Sequence, residues 1–281
     1  MIETATELAA LRDRIRGWKR EGLRVGFVPT MGNLHAGHFS LVRLAREHCD
    51  RVVASVFVNP TQFGPNEDFA RYPRTPEADA AGLAGAGCDL LWLPGVDAMY
   101  PSGAGGAVQV RVPGITEVLE GAHRPGHFDG VATVVARLFN QVQPDVAVFG
   151  RKDYQQLAVI RYLVRDLGFP IDILAGATLR EPDGLAMSSR NQYLNEAERA
   201  TAAGIHRCLL AMRDAAIAGQ ALQRIEGDAA ERLRGAGFAV DYAALRAPDL
   251  GVPATAGGPR VALIAARLGS TRLIDNLEFE T

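Results

Sequence analysis

The chain has 281 residues, 48% of them hydrophobic and 22% charged, and a formal net charge of −2. This is the composition of an ordinary globular protein with room for one large domain or two smaller ones, and two is the expectation. It lacks the basic excess of a nucleic-acid binder and any apolar run of bilayer length, and three scattered cysteines (Cys49, Cys88, Cys208) support neither a disulfide framework nor a zinc site.

Residues 1–20 set Ile2, Leu8, Leu11 and Ile15 among charged residues. That spacing predicts an amphipathic helix and not a signal peptide, and with it a cytoplasmic protein. Residues 25–28 form a short apolar strand, Pro29 and Gly32 punctuate its end, and Leu41, Val42, Leu44 and Ala45 then recur with helical spacing. The turn between them carries His35 and His38 on either side of Gly37. On a helix's first turn, positions three apart share a face, so both imidazoles are expected to point at one ligand. Backbone N–H groups and the helix dipole make an anion the favoured one. Gly32 and Gly37 would keep the backbone bare beneath a nucleotide. A pair of helix-capping histidines leaves the same H-x-x-H trace. The fuller string of Thr30, Gly32, His35, Gly37 and His38 resembles the HIGH signature of nucleotidyltransferases, with Ala36 in place of isoleucine.

Residues 52–58 (V-V-A-S-V-F-V) read as a strand buried on both faces. The loop 59–66 follows at once and sets Asn59 and Gln62 just beyond a strand's carboxyl end, where open α/β sheets bind ligands. Asn before Pro also starts loops for local reasons, so turn chemistry alone accounts for both amides equally well. Asp68, Arg71, Tyr72 and Arg74 fill the next segment, as solvated loop for the most part or as a lid or wall; Thr75 and Pro76 open a helix over 77–86, and 90–94 is another buried strand. Further on, 103–106 is small and flexible, 108–112 alternates as an edge strand, and 120–130 is a polar, glycine-rich loop before a helix over 131–141.

Residues 146–149 give the next strand, and Gly150, Arg151, Lys152 and Asp153 turn into a helix that carries Gln156 and runs to about residue 168. A lysine between strand and helix suits a phosphate grip, and a solvated lysine fits the spacing as well. Residues 171–175 close the alternation. A turn at 181–184 precedes Met187, Ser188, Ser189, Arg190 and Asn191, whose hydroxyls and guanidinium supply several donors over a short reach and suit phosphate oxygens, while an N-cap with a surface arginine fits the same residues. From there the pattern changes to helices over 195–218 and 222–236, then strands over 238–246, 260–266 and 271–274, with a surface loop at 251–259. The fold class expected is α/β: a parallel-sheet domain over 1–177 and a smaller α+β unit over 178–281.

The stretches P-T-M-G-N-L-H-A-G-H (29–38), F-V-N-P-T-Q-F (57–63), Y-P-R-T (72–75), R-P-G-H-F (124–128) and M-S-S-R-N (187–191) together resemble the pantothenate synthetase (pantoate–β-alanine ligase) family over nearly the whole chain. The resemblance implies a Rossmann-like N-terminal domain, a smaller C-terminal domain acting as a lid, and a homodimer that uses ATP and Mg²⁺, with pantoate and β-alanine as substrates. It implies attack of pantoate on the α-phosphorus to give pantoyl adenylate and pyrophosphate, then displacement of AMP by β-alanine. It assigns His38 as proton donor and His35 as its phosphate-binding partner. Met31, Gly32, Asn33, Leu34, His35, Ala36, Gly37 and His38 line the nucleotide, as do Gly150, Arg151, Lys152, Asp153, Met187, Ser188, Ser189 and Arg190, with Leu179 beside the adenine. Lys152, Ser188, Ser189 and Arg190 go to the phosphates. Gln62 meets pantoate and β-alanine, Gln156 holds pantoate, and Asn59 and Tyr72 shape the pocket. Arg151 stands where Glu or Gln is usual, and Ala78 interrupts an acidic run, which leaves Asp79 as a weak candidate for touching Mg²⁺. The competing readings are another HIGH-type nucleotidyltransferase that releases a dinucleotide, and a nucleotide-binding regulator without turnover.

Overall fold

Strand and helix signals alternate as far as residue 176, and in the computed structural model they build a layered α/β unit. The structure describes residues 2–65, 67, 69–253 and 257–281. Met1, Asn66 and Asp68, and residues 254–256 of the expected surface loop, lie outside the described residues. The elements in chain order are β1 (Glu3–Ala5), α1 (Leu8–Arg20), β2 (Val25–Thr30), α2 (Ala36–His48), β3 (Arg51–Val56), α3 (Pro76–Gly85), β4 (Leu90–Trp92), α4 (Val96–Met99), α5 (Glu120–His123), α6 (His127–Val142), β5 (Val146–Gly150), α7 (Tyr154–Asp166) and β6 (Asp172–Gly176). The sheet runs β1-β4-β3-β2-β5-β6, parallel throughout.

Alternate residues of the central strands serve opposite faces. Phe27, Val53 and Phe149 join the core under α1, α6 and α7, while Val28, Val52 and Val148 join the one under α2 and α3. The strand order steps outward from β2 to β3 and β4, then returns to place β5 on the other side of β2. The carboxyl ends of β2 and β5 therefore flank the topological switch point, where this architecture leaves a crevice.

Three sequence expectations are corrected in this unit. Residues 1–20 are not one helix: Glu3–Ala5 pairs in parallel with Leu90–Trp92 and the helix starts at Leu8. The threonines at 4 and 6 favour extended backbone, and the open edge of β4 supplies the hydrogen bonds. Residues 108–112 form no strand; the Val110 N–H donates to the Thr133 hydroxyl on α6 at 2.9 Å, and Val108 is 79% exposed. The expected loop at 120–130 is mostly helical, as α5 and the first turn of α6. Its glycines mark a joint and a contact: Gly126 takes φ +79 just before α6, and at Gly130 a Cβ would lie 2.4 Å from the Thr61 carbonyl oxygen.

The rest of the chain is α8 (Glu196–Ala202), α9 (Gly204–Ile217), α10 (Leu222–Gly235), β7 (Ala239–Arg246), β8 (Pro259–Leu268) and β9 (Thr271–Glu280), with an antiparallel sheet in the order β7-β8-β9. Leu209, Met212, Ile225 and Leu233 from the helices pack with Leu245, Ile264 and Leu273 from the sheet in a separate core. The helix expected over 195–218 is two, divided at Ala203 ahead of the weak helix former Gly204. The strand expected over 271–274 continues to Glu280: Asp275 and Asn276 break the apolar alternation but stay in register with Ile264 and Leu263. Two compact units result, one comprising residues 1–151 and 156–177, the other residues 152–155 and 178–281. Among the described residues no helix is long and apolar enough to cross a membrane.

Candidate active site

In the first unit, β2 ends at Thr30, whose hydroxyl donates to the Ser55 carbonyl at 2.7 Å, and the chain then turns sharply through Gly32 (φ +89) and Asn33 (φ +51) into α2. The turn is held from outside at its second left-handed residue and the one after it. The buried carboxylate of Asp79 on α3 accepts the N–H groups of Asn33 at 3.0 Å and Leu34 at 2.8 Å.

His35 is the N-cap of α2, and its Nδ1 accepts from the Gly37 N–H at 3.1 Å; Nδ1 of His38 accepts from the His35 N–H at 3.3 Å, closing a capping box. The ring centroids are 4.2 Å apart. Capping and ligand binding are thus compatible uses of the same spacing. With each Nδ1 an acceptor, the neutral rings carry their proton on Nε2, so each presents an N–H donor there. Donors of this kind beside the N-terminus of a 13-residue helix suit a phosphate.

The segment after β3 lies alongside. Pro60–Gln62 is a single 3-10 turn capped by Asn59, which is 1% exposed. The Asn59 side chain accepts from the Thr61 hydroxyl at 3.0 Å and the Tyr100 hydroxyl at 2.7 Å, and donates to the Gly130 carbonyl and the Gln62 Oε1. The Gln62 Nε2 lies 3.1 Å from the Met31 sulfur. That contact joins the two segments that the sequence marks for nucleotide and for acid. Tyr72 is buried and its ring centroid is 5.9 Å from that of Phe63, the neighbour of Gln62. Gln156 is half-buried near the start of α7, and Gly150 and Arg151 stand at the end of β5, the latter exposed.

The R-P-G-H-F stretch clamps this segment. Arg124 grips Glu67 with two bonds of 2.7 Å, and its Nη1 donates to the His127 Nε2 at 3.1 Å. His127 Nδ1 donates in turn to the Gln62 carbonyl at 2.8 Å. Burial first, and then the Arg124 charge, push His127 down to about 4, so it stays neutral. For Glu67, burial pulls upward, but the Arg124 hydrogen bonds and charge outweigh it and hold the carboxyl below its usual range. Sequence reasoning carried Arg124, His127 and Thr61 inside quoted stretches without assigning them a role, and missed Glu67 and Tyr100 entirely. The motif strings were the only trace of the first three.

In the second unit, β9 gathers the remaining residues through the buried polar side chains of Asp275 and Asn276. Asn276 donates to the Lys152 carbonyl at 2.8 Å, and Asp275 takes a two-point grip from Arg180 at 2.6 and 3.0 Å. Arg180 belongs to a short antiparallel bridge with Ala186, extended by the Met187 N–H bonding to the Leu179 carbonyl at 2.9 Å. The bridge therefore sets Leu179, 36% exposed, beside Met187. The Ser188 hydroxyl accepts from the Arg190 N–H at 3.3 Å and starts the Ser189–Tyr193 turn, in which Ser189 and Arg190 are half-buried. The Lys152 ammonium is 3.9 Å from Asp153. Lys152, Leu179, Met187 and Ser188 are thus secured at one stretch of β9 although up to 36 positions separate them in the chain.

Among the described residues no group of three or more His, Cys, Asp or Glu side chains is placed to hold a metal ion, and the Asp79 carboxylate already accepts three protein donors. This donor set fits a divalent cation that arrives on phosphate oxygens. Burial pushes the Cys88 thiol up to about 12 and raises Cys49 and Cys208 as well, so none supplies a thiolate.

A family model described as pantoate-beta-alanine ligase matches residues 3–278. The pantothenate synthetase of Stenotrophomonas maltophilia (strain K279a) is 68% identical over 279 residues, covering 99% of this chain and 100% of its own. That of Xanthomonas campestris pv. campestris (strain B100) is 67% identical over 284 residues, with the same coverage. Among solved structures, pantothenate synthetase from Thermus thermophilus overlays with a TM-score of 0.89 at 50% identity, over 98% of this chain and 99% of that one. Pantoate-beta-alanine ligase from Francisella tularensis, complexed with beta-gamma ATP and beta-alanine, overlays with a TM-score of 0.83 at 32% identity, over 99% and 97%.

Proposed function

The chain belongs to the pantoate-beta-alanine ligase family, and on that premise we propose a residue-level account of how it joins pantoate to β-alanine at the expense of ATP. A pantoate carboxylate oxygen attacks the α-phosphorus, the bond to the bridging oxygen breaks, and pyrophosphate leaves with the electron pair. The mixed anhydride now has AMP as a good leaving group. The neutral amine of β-alanine then attacks the acyl carbon, AMP departs, and the ammonium proton passes to solvent. Pantothenate, AMP and pyrophosphate are the products.

In the first step charge builds on the α-phosphate and the departing pyrophosphate, so the protein's task is to aim donors at them. His38 and His35 do so through Nε2–H, aided by the N-terminus of α2. The nucleotide is bound by Met31, Gly32, Asn33, Leu34, Ala36 and Gly37 with Gly150, Arg151, Lys152, Asp153 and Met187. Lys152, Ser188, Ser189 and Arg190 serve the phosphates and Leu179 the adenine. Gln62 and Gln156 hold pantoate, Gln62 also meets β-alanine, and Asn59 and Tyr72 shape that pocket. Mg²⁺ bound with ATP would lower the charge of the phosphates that Lys152, Ser188, Ser189 and Arg190 serve. The active form is a cytoplasmic homodimer.

The observation that carries this reading is the Met31–Gln62 contact, because it sets an amide suited to pantoate against the loop that runs into the paired histidines. The test is to supply ATP, Mg²⁺ and pantoate with and without β-alanine. Pantothenate, AMP and pyrophosphate should appear together only with all substrates present. Formation of ADP, or turnover indifferent to β-alanine, would contradict the account.

A further inference from the structure

Asp79 is a carboxylate at 2% exposure whose three hydrogen-bond partners are all uncharged. The Asn33 N–H donates to Oδ2 at 3.0 Å, while the Leu34 N–H at 2.8 Å and the Thr75 hydroxyl at 3.0 Å donate to Oδ1. Taking a carboxylate out of water costs several kcal/mol unless other donors replace the water. Here two successive N–H groups of the nucleotide turn make up most of the replacement, a nest around an anion, and the first turn of α3 adds the favourable end of its dipole.

The turn has equal need of the carboxylate. Gly32 and Asn33 both take positive φ, a conformation that costs a non-glycine residue energy and persists only where its surroundings hold it. The packing is close: a Cβ on Gly32 would sit 3.0 Å from the Val56 side chain and 3.1 Å from the Asp79 Oδ2. Three of the carboxylate's roughly four acceptor positions are filled by the protein, which leaves little capacity for a metal.

We infer that Asp79 is a positioning residue for ATP: its carboxylate fixes residues 31–34, and through them where the nucleotide lies against the α2 N-terminus. The inference rests on the nucleotide-binding role proposed above for that turn. The charge, the turn and the Thr75 hydroxyl form one device in which each member holds the others.

The test uses the full chain with Asp79→Asn and, separately, Thr75→Val. It measures KM for each substrate, the dependence on Mg²⁺, and calorimetric binding of a non-hydrolysable ATP analogue. In Asp79→Asn an amide N–H₂ faces a backbone N–H, so the ATP KM and the analogue's Kd should rise about tenfold or more. The KM for β-alanine should stay within about twofold. Thr75→Val removes one donor and should shift the same two quantities by about two- to threefold. A folded Asp79→Asn with unchanged ATP affinity overturns the inference. So does recovery of its affinity by extra Mg²⁺, which would make Asp79 a metal ligand, and so does an equal loss for all substrates. If Asp79→Asn does not fold, Thr75→Val decides by the same contrast. Failure of the wild type to make pantothenate would count against the proposed function, while the analogue's Kd in wild type and variants would still report on Asp79.

Discussion

In both His35 and His38 a backbone N–H donates to Nδ1, which sends the ring proton to Nε2 and makes each histidine a cap and a donor at once. The two uses can be separated by substitution. His38→Asn puts an amide oxygen near the place of Nδ1, so the cap on the His35 N–H is retained, but the donor at Nε2 is gone. The rate of pyrophosphate release should fall about 10²-fold or more, the scale of losing one transition-state donor, while the melting temperature moves little. Near-normal turnover in His38→Asn, measured by pyrophosphate release, would place the donor elsewhere. The same logic makes Asn59 a support for Gln62: its side-chain oxygen and nitrogen are both engaged within the protein.

At the scale of elements, α6 meets the 3-10 turn at Pro60–Gln62 closely enough that only glycine fits at position 130, and the Arg124–His127 clamp fastens the turn there. His127 makes the clamp pH-sensitive. Its folded value of about 4 lies below the usual 6.5, so its contribution is fully present above pH 6.5 and is lost as the pH falls toward 4. The loss amounts to roughly 3 kcal/mol at about 1.4 kcal/mol per pH unit. Glu67, also held below its usual range, adds a loss of the same sign further down. Denaturant unfolding from pH 7 to pH 4 should show this decline in the wild type and a shallower one in His127→Asn, whose amide can still donate to the Gln62 carbonyl. Parallel curves would contradict it. Most of this architecture was legible in the sequence where apolar residues repeat with one period, as in β2, β3, α2 and α7. It was hidden where polar residues do structural work inside the protein. Asp275 and Asn276 disguised the second half of β9, Glu67 had no local signal, and the glycines of 120–130 looked like a loop although Gly126 starts a helix and Gly130 serves a contact made 69 residues away. Val108–Val112 erred the other way, since alternation predicts a strand only where another strand is there to pair with it.

For the molecule as a whole, the residues proposed for the chemistry belong to two units with separate cores. The first offers the capped histidine pair and the Gln62 amide; the second offers Lys152 and the Leu179–Arg190 stretch secured at β9. The stretch Lys152–Gln155 belongs to the second unit although its flanks belong to the first, and the Lys152 carbonyl accepts from the Asn276 side chain of that unit. Activation of a carboxylate by adenylation is the claim on which these assignments converge, and it leaves an atomic signature. With pantoate carrying ¹⁸O in its carboxylate, the enzyme supplied with ATP, Mg²⁺ and β-alanine should return AMP with one ¹⁸O on its phosphate for each pantothenate formed. ¹⁸O appearing in inorganic phosphate, or AMP free of label, would contradict it.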